Sequence, residues 1–229
     1  MSLLPGRLAG PSTMGAGGLA GTRSSRVSLN ITLPPPGKCA IRPTLLIMLF
    51  DDSGSMLGGN DSTGLRYQEA ALAVRAVGKR CRCGRERVAV LHMNRPTCGD
   101  LAPTPIRQRD WPAIENALEI PGDTDGASAI TATLGRATQI AATHQDHQIC
   151  LLVFSDFELI DNMHQLAFDL AAVPADVRAV AMRSQPPAVF DEFDRIAVTH
   201  IPTGQQPGMV AEAVFAALTD PRKSQVRRK

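Results

Sequence analysis

The amino-acid sequence predicts a doubly wound α/β fold, in which a mostly parallel central sheet carries helices on both faces. Continuously apolar runs recur along the chain, and such runs are typical of strands buried on both faces of a parallel sheet. Amphipathic stripes of helical spacing separate these runs, which is the alternation expected of strand–helix–strand units. Hydrophobic residues make up 44% of the 229 residues and charged residues 20%, so the chain can bury a sizeable core.

The strands of the central sheet are predicted from five apolar runs, each of strand rather than helix length. An edge strand is also predicted around residues 103–107, although Pro103 and Pro105 weaken this prediction because proline cannot donate to a ladder. The five buried runs cover residues 44–50, 88–93, 149–154, 177–182 and 196–201.

The main helices are predicted from four amphipathic stripes, in which apolar residues recur every three or four positions. A short further helix is predicted after Asp110, which can cap it, with Pro112 in its first turn. Pro221 follows the last stripe, where we expect the helix to end. The four stripes cover residues 67–77, 127–142, 163–171 and 209–218.

The chain divides into a flexible N-terminal arm, one α/β domain and a basic C-terminal tail. The arm covers residues 1–36, the domain residues 37–220 and the tail residues 221–229. Within the arm, residues 27–33 alternate between apolar and polar side chains, which predicts an extra half-buried strand. We expect this strand to dock on an edge of the chain's own sheet or on another protomer's, which would give a homo-oligomer.

Charge and hydropathy exclude two classes of partner as the default. The net charge of +2 does not indicate a strongly cationic nucleic-acid binder, and the basic runs lack aromatic residues for base stacking. Nucleic acid is therefore disfavoured. No apolar run approaches the ~18 residues that a membrane-spanning helix needs, so no membrane partner is expected.

The five cysteines indicate a reducing compartment rather than a disulfide scaffold. Their number is odd, and the chain is large enough to form a core without cross-links. Residues 1–26 also lack a secretory leader, so we expect a cytoplasmic protein. Cys81 and Cys83 lie near Cys98 and His92 in the sequence, and together these residues could bind zinc. Ordinary reduced thiols are favoured, because C-x-C is narrower than the usual zinc-binding spacing.

Oxygen-bearing side chains follow two predicted strands at the edge where ligands bind in open α/β sheets. Asp51, Ser53 and Ser55 follow the strand at 44–50, and Asp156 follows the strand at 149–154. Thr124 lies in a third loop, before a helix. Carboxylate and hydroxyl oxygens favour a hard cation, which indicates Mg²⁺, or Mn²⁺ or Ca²⁺, rather than Zn²⁺.

These residues resemble the metal-ion-dependent adhesion site (MIDAS) of von Willebrand factor A (vWA) domains. Asp51, Ser53 and Ser55 match its D-x-S-x-S motif, and Thr124 and Asp156 match its second and third loops. The resemblance covers roughly residues 40–219 and implies a vWA/Rossmann-like fold. It implies that the hydroxyls bind the metal, that the aspartates act directly or through water, and that a partner's Asp or Glu completes the coordination.

The sequence departs from the family pattern at two glycine positions. Asp123 stands where the family often has glycine before the threonine, and Phe157 stands where glycine follows the third-loop aspartate. Several acidic residues add negative charge around the predicted site, which leaves the type of ligand open. They are Asp52, Asp123, Asp125 and Glu158.

Three alternative structures around Asp51 fit the sequence less well. A cluster of helix caps and turns would explain Asp51, Ser53 and Ser55 but not the two further loops. A haloacid dehalogenase would need a second aspartate at position 53, which is serine. A phosphate-binding loop would need glycines where Asp51 and Asp52 would repel phosphate.

The function predicted from the sequence is a metal-dependent protein–protein interaction module without enzymatic activity. By resemblance, stand-alone bacterial vWA proteins of the intracellular type work beside AAA-type ATPases or in stress and conflict systems. The alternative is an assembly protein, in which the strand at 27–33 makes subunit contacts and the metal stabilises the fold. A weaker alternative is a metal-dependent hydrolase, for which a general base is not evident.

Overall fold

The computed structural model describes residues 29–226 apart from 57, 82, 94–98, 120–128 and 160, and only the backbone of 222–226. Strands and helices alternate along the chain, as the sequence predicts. The strands are β1 (Thr44–Phe50), β2 (Arg87–His92), β3 (Leu101–Pro105), β4 (Gln148–Ser155), β5 (Asp176–Arg183) and β6 (Ile196–Pro202). The helices are α1 (Arg66–Arg80), α2 (Trp111–Ala117), α3 (Thr131–Thr143), α4 (Met163–Ala172) and α5 (Met209–Val226).

The six strands form one sheet in the order β3-β2-β1-β4-β5-β6. All neighbouring pairs are parallel except β2 and β3, which confirms the predicted doubly wound, mostly parallel class. The proline-containing strand β3 lies at the edge, where a missing N–H costs least. Since β1 pairs with β2 on one side and β4 on the other, the strand order reverses between β1 and β4, where ligands bind in such sheets.

The sheet separates two apolar cores, which explains why its central strands are apolar at every position. Alternate residues of β1 face opposite sides: Leu46 belongs to the core under α1 and α5, and Leu45 to the core under α3 and α4. Every residue of β1 is buried. Burial on both faces therefore produces the continuous apolar run seen in the sequence.

The N-terminal segment does not form the extra strand predicted at 27–33 over its described residues. Residues 29–33 pair with no strand of the sheet, and residues 27 and 28 lie outside the described part. Ile31 and Leu33 are nevertheless partly buried against the core under α1 and α5, while Asn30 and Thr32 are exposed. The alternating pattern thus correctly predicts which side chains are covered, but they are covered by packing rather than by strand pairing.

Helix α5 does not end before Pro221, contrary to the prediction from the sequence. The helix continues through this proline to Val226, so the segment predicted as a tail from residue 221 begins as a continuation of the helix. Proline removes one backbone hydrogen bond from a helix. The buried apolar face of α5, which includes Val214 and Leu218, holds the helix against the sheet on the N-terminal side of that position.

Candidate metal centre

Asp51 and Asp156 follow the two neighbouring strands at which the strand order reverses. Asp51 comes directly after β1, and Asp156 comes directly after β4. The backbone N–H of Asp51 donates to the carbonyl of Phe154 at 2.9 Å, so the pairing of β1 and β4 extends into the site. Both aspartates are almost fully buried. Two carboxylates are thereby fixed at the carboxyl edge of the sheet.

The carboxylate of Asp51 is held by hydrogen bonds to both of its oxygens. Its Oδ1 accepts from the backbone N–H of Ser53 at 2.9 Å, and its Oδ2 accepts from Ser155 Oγ at 2.6 Å. Burial raises the pKa of Asp51, these hydrogen bonds lower it, and the charge of Asp156 raises it, so the net pKa lies above its ordinary value. A cation at this edge would relieve both the burial of the charge and its repulsion by Asp156.

The two hydroxyls of the D-x-S-x-S motif are linked to each other, and one of them reaches Asp156. Ser53 Oγ lies 3.0 Å from Ser55 Oγ, and Ser55 Oγ donates to Oδ2 of Asp156. Adjacent oxygens in an octahedral Mg²⁺ site lie about 3 Å apart, since each Mg–O distance is about 2.0–2.1 Å. The donor chemistry and spacing of these side chains therefore fit a hard divalent cation.

The structure brings together four of the five residues predicted for the metal. Asp51, Ser53, Ser55 and Asp156 share one site, whereas Thr124 lies outside the described residues. Sequence reasoning did not assign a role to Ser155, which bonds Asp51. The signal for it was the position of Ser155 at the end of the strand beside β1, where Phe154 pairs with Phe50, the residue before Asp51.

Two arginines hold the loop that carries the motif, and the sequence did not single them out. Arg66 of α1 is fully buried and donates to the carbonyls of Met56 at 2.6 Å and Asp51 at 3.1 Å. Arg183, at the end of β5, donates to the carbonyls of Ser55 and Gly58, the latter at 2.8 Å. Both arginines bond backbone carbonyls, so they fix the path of the loop and leave the Ser53 and Ser55 hydroxyls to the site.

Asp52 faces away from the candidate metal centre, which corrects its expected contribution to the negative charge there. Its carboxylate accepts from the hydroxyl of Tyr67 and lies 2.9 Å from Nδ1 of His92. The guanidinium of Arg66 is 3.9 Å away, and both charged side chains are at most 1% exposed. Asp52 therefore belongs to a buried charged network beneath the motif.

His92, which ends β2, is fully engaged in that network. Its Nδ1 faces the Asp52 carboxylate and its Nε2 lies 3.1 Å from the carbonyl of Ala117. Both partners accept hydrogen bonds, so the ring has no free nitrogen for a metal or for a substrate proton. The sequence left open a zinc site that includes His92, and these contacts exclude His92 as a ligand.

Phe157 occupies the family's glycine position in a backbone conformation that favours glycine. Its φ is 55°, in the left-handed region, which costs a non-glycine residue about 1–2 kcal/mol. The side chain is buried and meets the ring of Phe190 edge to face, with centroids 5.1 Å apart. Apolar burial stabilises the phenylalanine enough to offset the strain. A left-handed residue thus stands at this position although it is not a glycine.

Comparison with known proteins finds similar solved structures, but no match to a family model or to a curated sequence.

Among the described helices, none is long and apolar enough to cross a membrane.

Several solved structures share the fold at low sequence identity. Proximal thread matrix protein 1 of the mussel byssus has a TM-score of 0.55 at 14% identity, over 79% of this chain and 47% of that one. This chain thus spans less than half of the byssus protein. The VWA domain of SpRpn10 has a TM-score of 0.54 at 13% identity, over 76% of this chain and 94% of the domain.

BatB, a conserved hypothetical protein of Bacteroides thetaiotaomicron, has a TM-score of 0.55 at 13% identity, over 79% of this chain and 99% of that one. Likeness at such identities shows the fold and not the activity. The topology and these neighbours together show that the chain has a vWA-like fold.

Proposed function

We propose that this vWA-like domain is a protein-interaction module that binds a partner's acidic side chain through a divalent cation, with Mg²⁺ preferred. Asp51, Ser53, Ser55 and Asp156 would hold the ion, and Thr124 joins them by resemblance. When bound, the cation supplies a positive charge that attracts a carboxylate. An AAA-type ATPase is the partner class implied by the resemblance, and it forms part of this proposal.

One observation carries the proposal: two serine hydroxyls in contact, one of which donates to a buried carboxylate at the strand-order reversal. Ser53 Oγ, Ser55 Oγ and the Asp156 carboxylate form a continuous chain of oxygen atoms. Ser55 is exposed, so this chain reaches the protein surface. A cation held here would therefore be accessible to a ligand from another molecule.

Charge explains why the partner would carry an acidic residue and why binding would need the cation. Asp51 and Asp156 balance the charge of one divalent ion, which retains positions for further oxygen ligands. Without the ion, these carboxylates and the exposed Glu158 would repel an incoming Asp or Glu. The cation therefore changes the interaction with an acidic partner from repulsive to attractive.

The described part of the site supports binding rather than catalysis. The hydroxyls of Ser53 and Ser55 are engaged with each other and with Asp156, and His92 is turned into the buried network around Asp52. Among the described residues, no further base contacts these serines. This arrangement favours the interaction module over the hydrolase.

Capture of partners by the immobilised full chain tests the proposal. It should be measured with Mg²⁺, with EDTA, and after excess Mg²⁺ is restored. We expect Asp156→Asn to lose the capture that the wild type shows in Mg²⁺. The matched control is Asp194→Asn, because Asp194 is exposed. It comes just before β6, at the amino ends of the parallel strands, whereas Asp156 lies at their carboxyl ends.

The cation dependence must follow the site for the proposal to hold. Partners bound by the wild type and by Asp194→Asn should be released by EDTA, and the same partners should return when Mg²⁺ is restored. Replacing the acidic residues of a captured partner by amides should then abolish binding. Equal capture in EDTA, or unchanged capture by Asp156→Asn, would refute the proposal.

A further inference from the structure

Three cysteine side chains meet at the opposite end of the sheet from the aspartates. Cys39 precedes β1, Cys81 caps the C-terminus of α1, and Cys83 lies in the turn that leads to β2. This turn enters β2 at its amino end, whereas Asp51 and Asp156 follow the carboxyl ends of β1 and β4. The thiol cluster is therefore independent of the candidate metal centre.

The three sulfur atoms of this cluster lie within reach of one ion. Cys81 Sγ is 3.3 Å from Cys39 Sγ and 3.0 Å from Cys83 Sγ, and all three sulfurs lie within 4.8 Å of one another. In a tetrahedral zinc site with Zn–S distances of about 2.3 Å, the sulfurs lie about 3.8 Å apart. Small side-chain rotations would bring the sulfurs to that spacing.

The backbone around the thiol cluster is held by hydrogen bonds between its separate segments. Arg85, two residues after Cys83, donates to the carbonyl of Ala40, the neighbour of Cys39, at 3.1 Å. Glu86 accepts from the backbone N–H of Thr44 at 2.5 Å, which joins the same two segments a second time. The cysteines are therefore positioned by bonds other than their own, as expected of a preorganised site.

We infer that Cys39, Cys81 and Cys83 together bind one Zn²⁺ ion. Thiolates are soft ligands that select Zn²⁺ over Mg²⁺, and three of them supply most of a tetrahedral shell. Cys39 is exposed, so the fourth position faces solvent and can be filled by water. Lys79 and Arg80, in the last turn of α1, supply positive charge close to a site whose net charge would be negative.

A metal accounts for the cluster better than a disulfide. A disulfide joins two sulfurs at about 2.0 Å and would leave the third thiol without a role. Cys81 Sγ lies 3.3 Å from Cys39 Sγ and 3.0 Å from Cys83 Sγ, both beyond that bond length. Thiols are also weak hydrogen-bond donors and acceptors, so contacts between sulfurs add little stability by themselves. A shared ion uses all three.

The structure also changes the ligand set that the sequence left open. Cys39, which is 42 residues from Cys81, replaces Cys98 as the third thiol. Cys98 lies outside the described residues. Zn²⁺ at the thiol cluster would fasten the segment before β1 to the turn between α1 and β2.

Zinc content and thiol protection test this inference on the full chain, purified with a reductant that does not bind metals. We expect one equivalent of zinc per chain and slow alkylation of Cys39 by iodoacetamide until the metal is chelated. Replacement of zinc by Co²⁺ should give a thiolate-to-cobalt charge-transfer absorption. Cys39→Ser and Cys83→Ser should each lose at least tenfold in zinc affinity, whereas the matched control Cys150→Ala should not.

Several results would overturn the inference. They include a folded wild-type chain that binds no zinc, and a Cys39→Ser variant that binds zinc as tightly as the wild type. Zinc loss confined to Cys98→Ser would assign the site to a different ligand set. A disulfide between two of the three cysteines under reducing purification would also contradict it. Cys39 is exposed, so its replacement should leave the core folded, and the alkylation measurement needs no variant.

Discussion

Asp51 and Asp52 are neighbours in the sequence, and replacing each by asparagine should affect a different property of the protein. Asp52 bonds Tyr67 and His92 and lies near the buried Arg66, so Asp52→Asn removes the carboxylate from a buried charged network. Asp51 lies beside Asp156, and burial raises its pKa, so its charge is unfavourable without a cation. We expect Asp52→Asn to destabilise the fold and Asp51→Asn to affect metal binding.

The expected stability loss follows from the burial of the Asp52 network. Removing one partner from a buried charged pair costs about 3–5 kcal/mol, because the other charge stays buried without compensation. Asparagine keeps one oxygen for the Tyr67 hydroxyl, so we expect the low end, about 3 kcal/mol. In a domain of this size that lowers the melting temperature by about 6–12 °C. Asp51→Asn should stay within about 1 kcal/mol of the metal-free wild type.

Urea unfolding of both variants in EDTA at neutral pH measures this contrast. Working without metal separates the stability of the fold from any contribution of a bound cation. Equal stability losses in the two variants would refute our account of the two side chains. So would an Asp52→Asn variant as stable as the wild type.

Three further predictions concern Glu69, the N-terminal segment and catalysis. Glu69 accepts backbone N–H groups of Val210 and Ala211, and burial raises its pKa, so the ionised form is the less favourable one when folded. The free energy of unfolding of the wild type, relative to Glu69→Gln, should thus be greatest at acidic pH and fall as the pH rises through the raised pKa of Glu69. Urea unfolding at several pH values measures this difference, and a difference that is constant with pH would contradict the prediction. Deleting residues 1–36 should lower the melting temperature, because Ile31 and Leu33 lose partly buried contacts worth about 1–2 kcal/mol together, whereas an unchanged temperature would make the segment a linker. The protein with Mg²⁺ should not hydrolyse phosphate esters or peptides, and turnover that disappears in Asp156→Ala would show that it is an enzyme.

The sequence predicted the sheet well because burial on both faces leaves a direct trace in composition. Leu45 and Leu46 face different cores, so β1 is apolar throughout and its bounds could be predicted correctly. Side-chain patterns do not report backbone partners, which is why the alternation at Ile31 and Leu33 predicted a strand, whereas the described residues 29–33 pair with none. The end of α5 was mispredicted at Pro221, because the helix continues through this proline to Val226.

The candidate metal centre was predictable to the extent that its residues follow strand ends. The D-x-S-x-S spacing and the end of the β4 strand identified Asp51 and Asp156 from the sequence alone. The orientation of Asp52 depends on Tyr67 and His92, which arrive from α1 and β2, and no local spacing indicates that contact. Cys39 is likewise distant in sequence from the cysteines it meets, so only the fold reveals the thiol cluster.

Calorimetric titration of the chain with Mg²⁺ tests the central claim most directly. Asp51→Ala is the informative variant, because Asp51 accepts from the backbone N–H of Ser53, in the loop whose Ser55 donates to Asp156. Circular dichroism should show that this variant remains folded. We expect saturable binding of one Mg²⁺ by the wild type and at least a tenfold loss of affinity in Asp51→Ala. Unchanged Mg²⁺ binding by the folded variant would contradict the assignment of the metal centre.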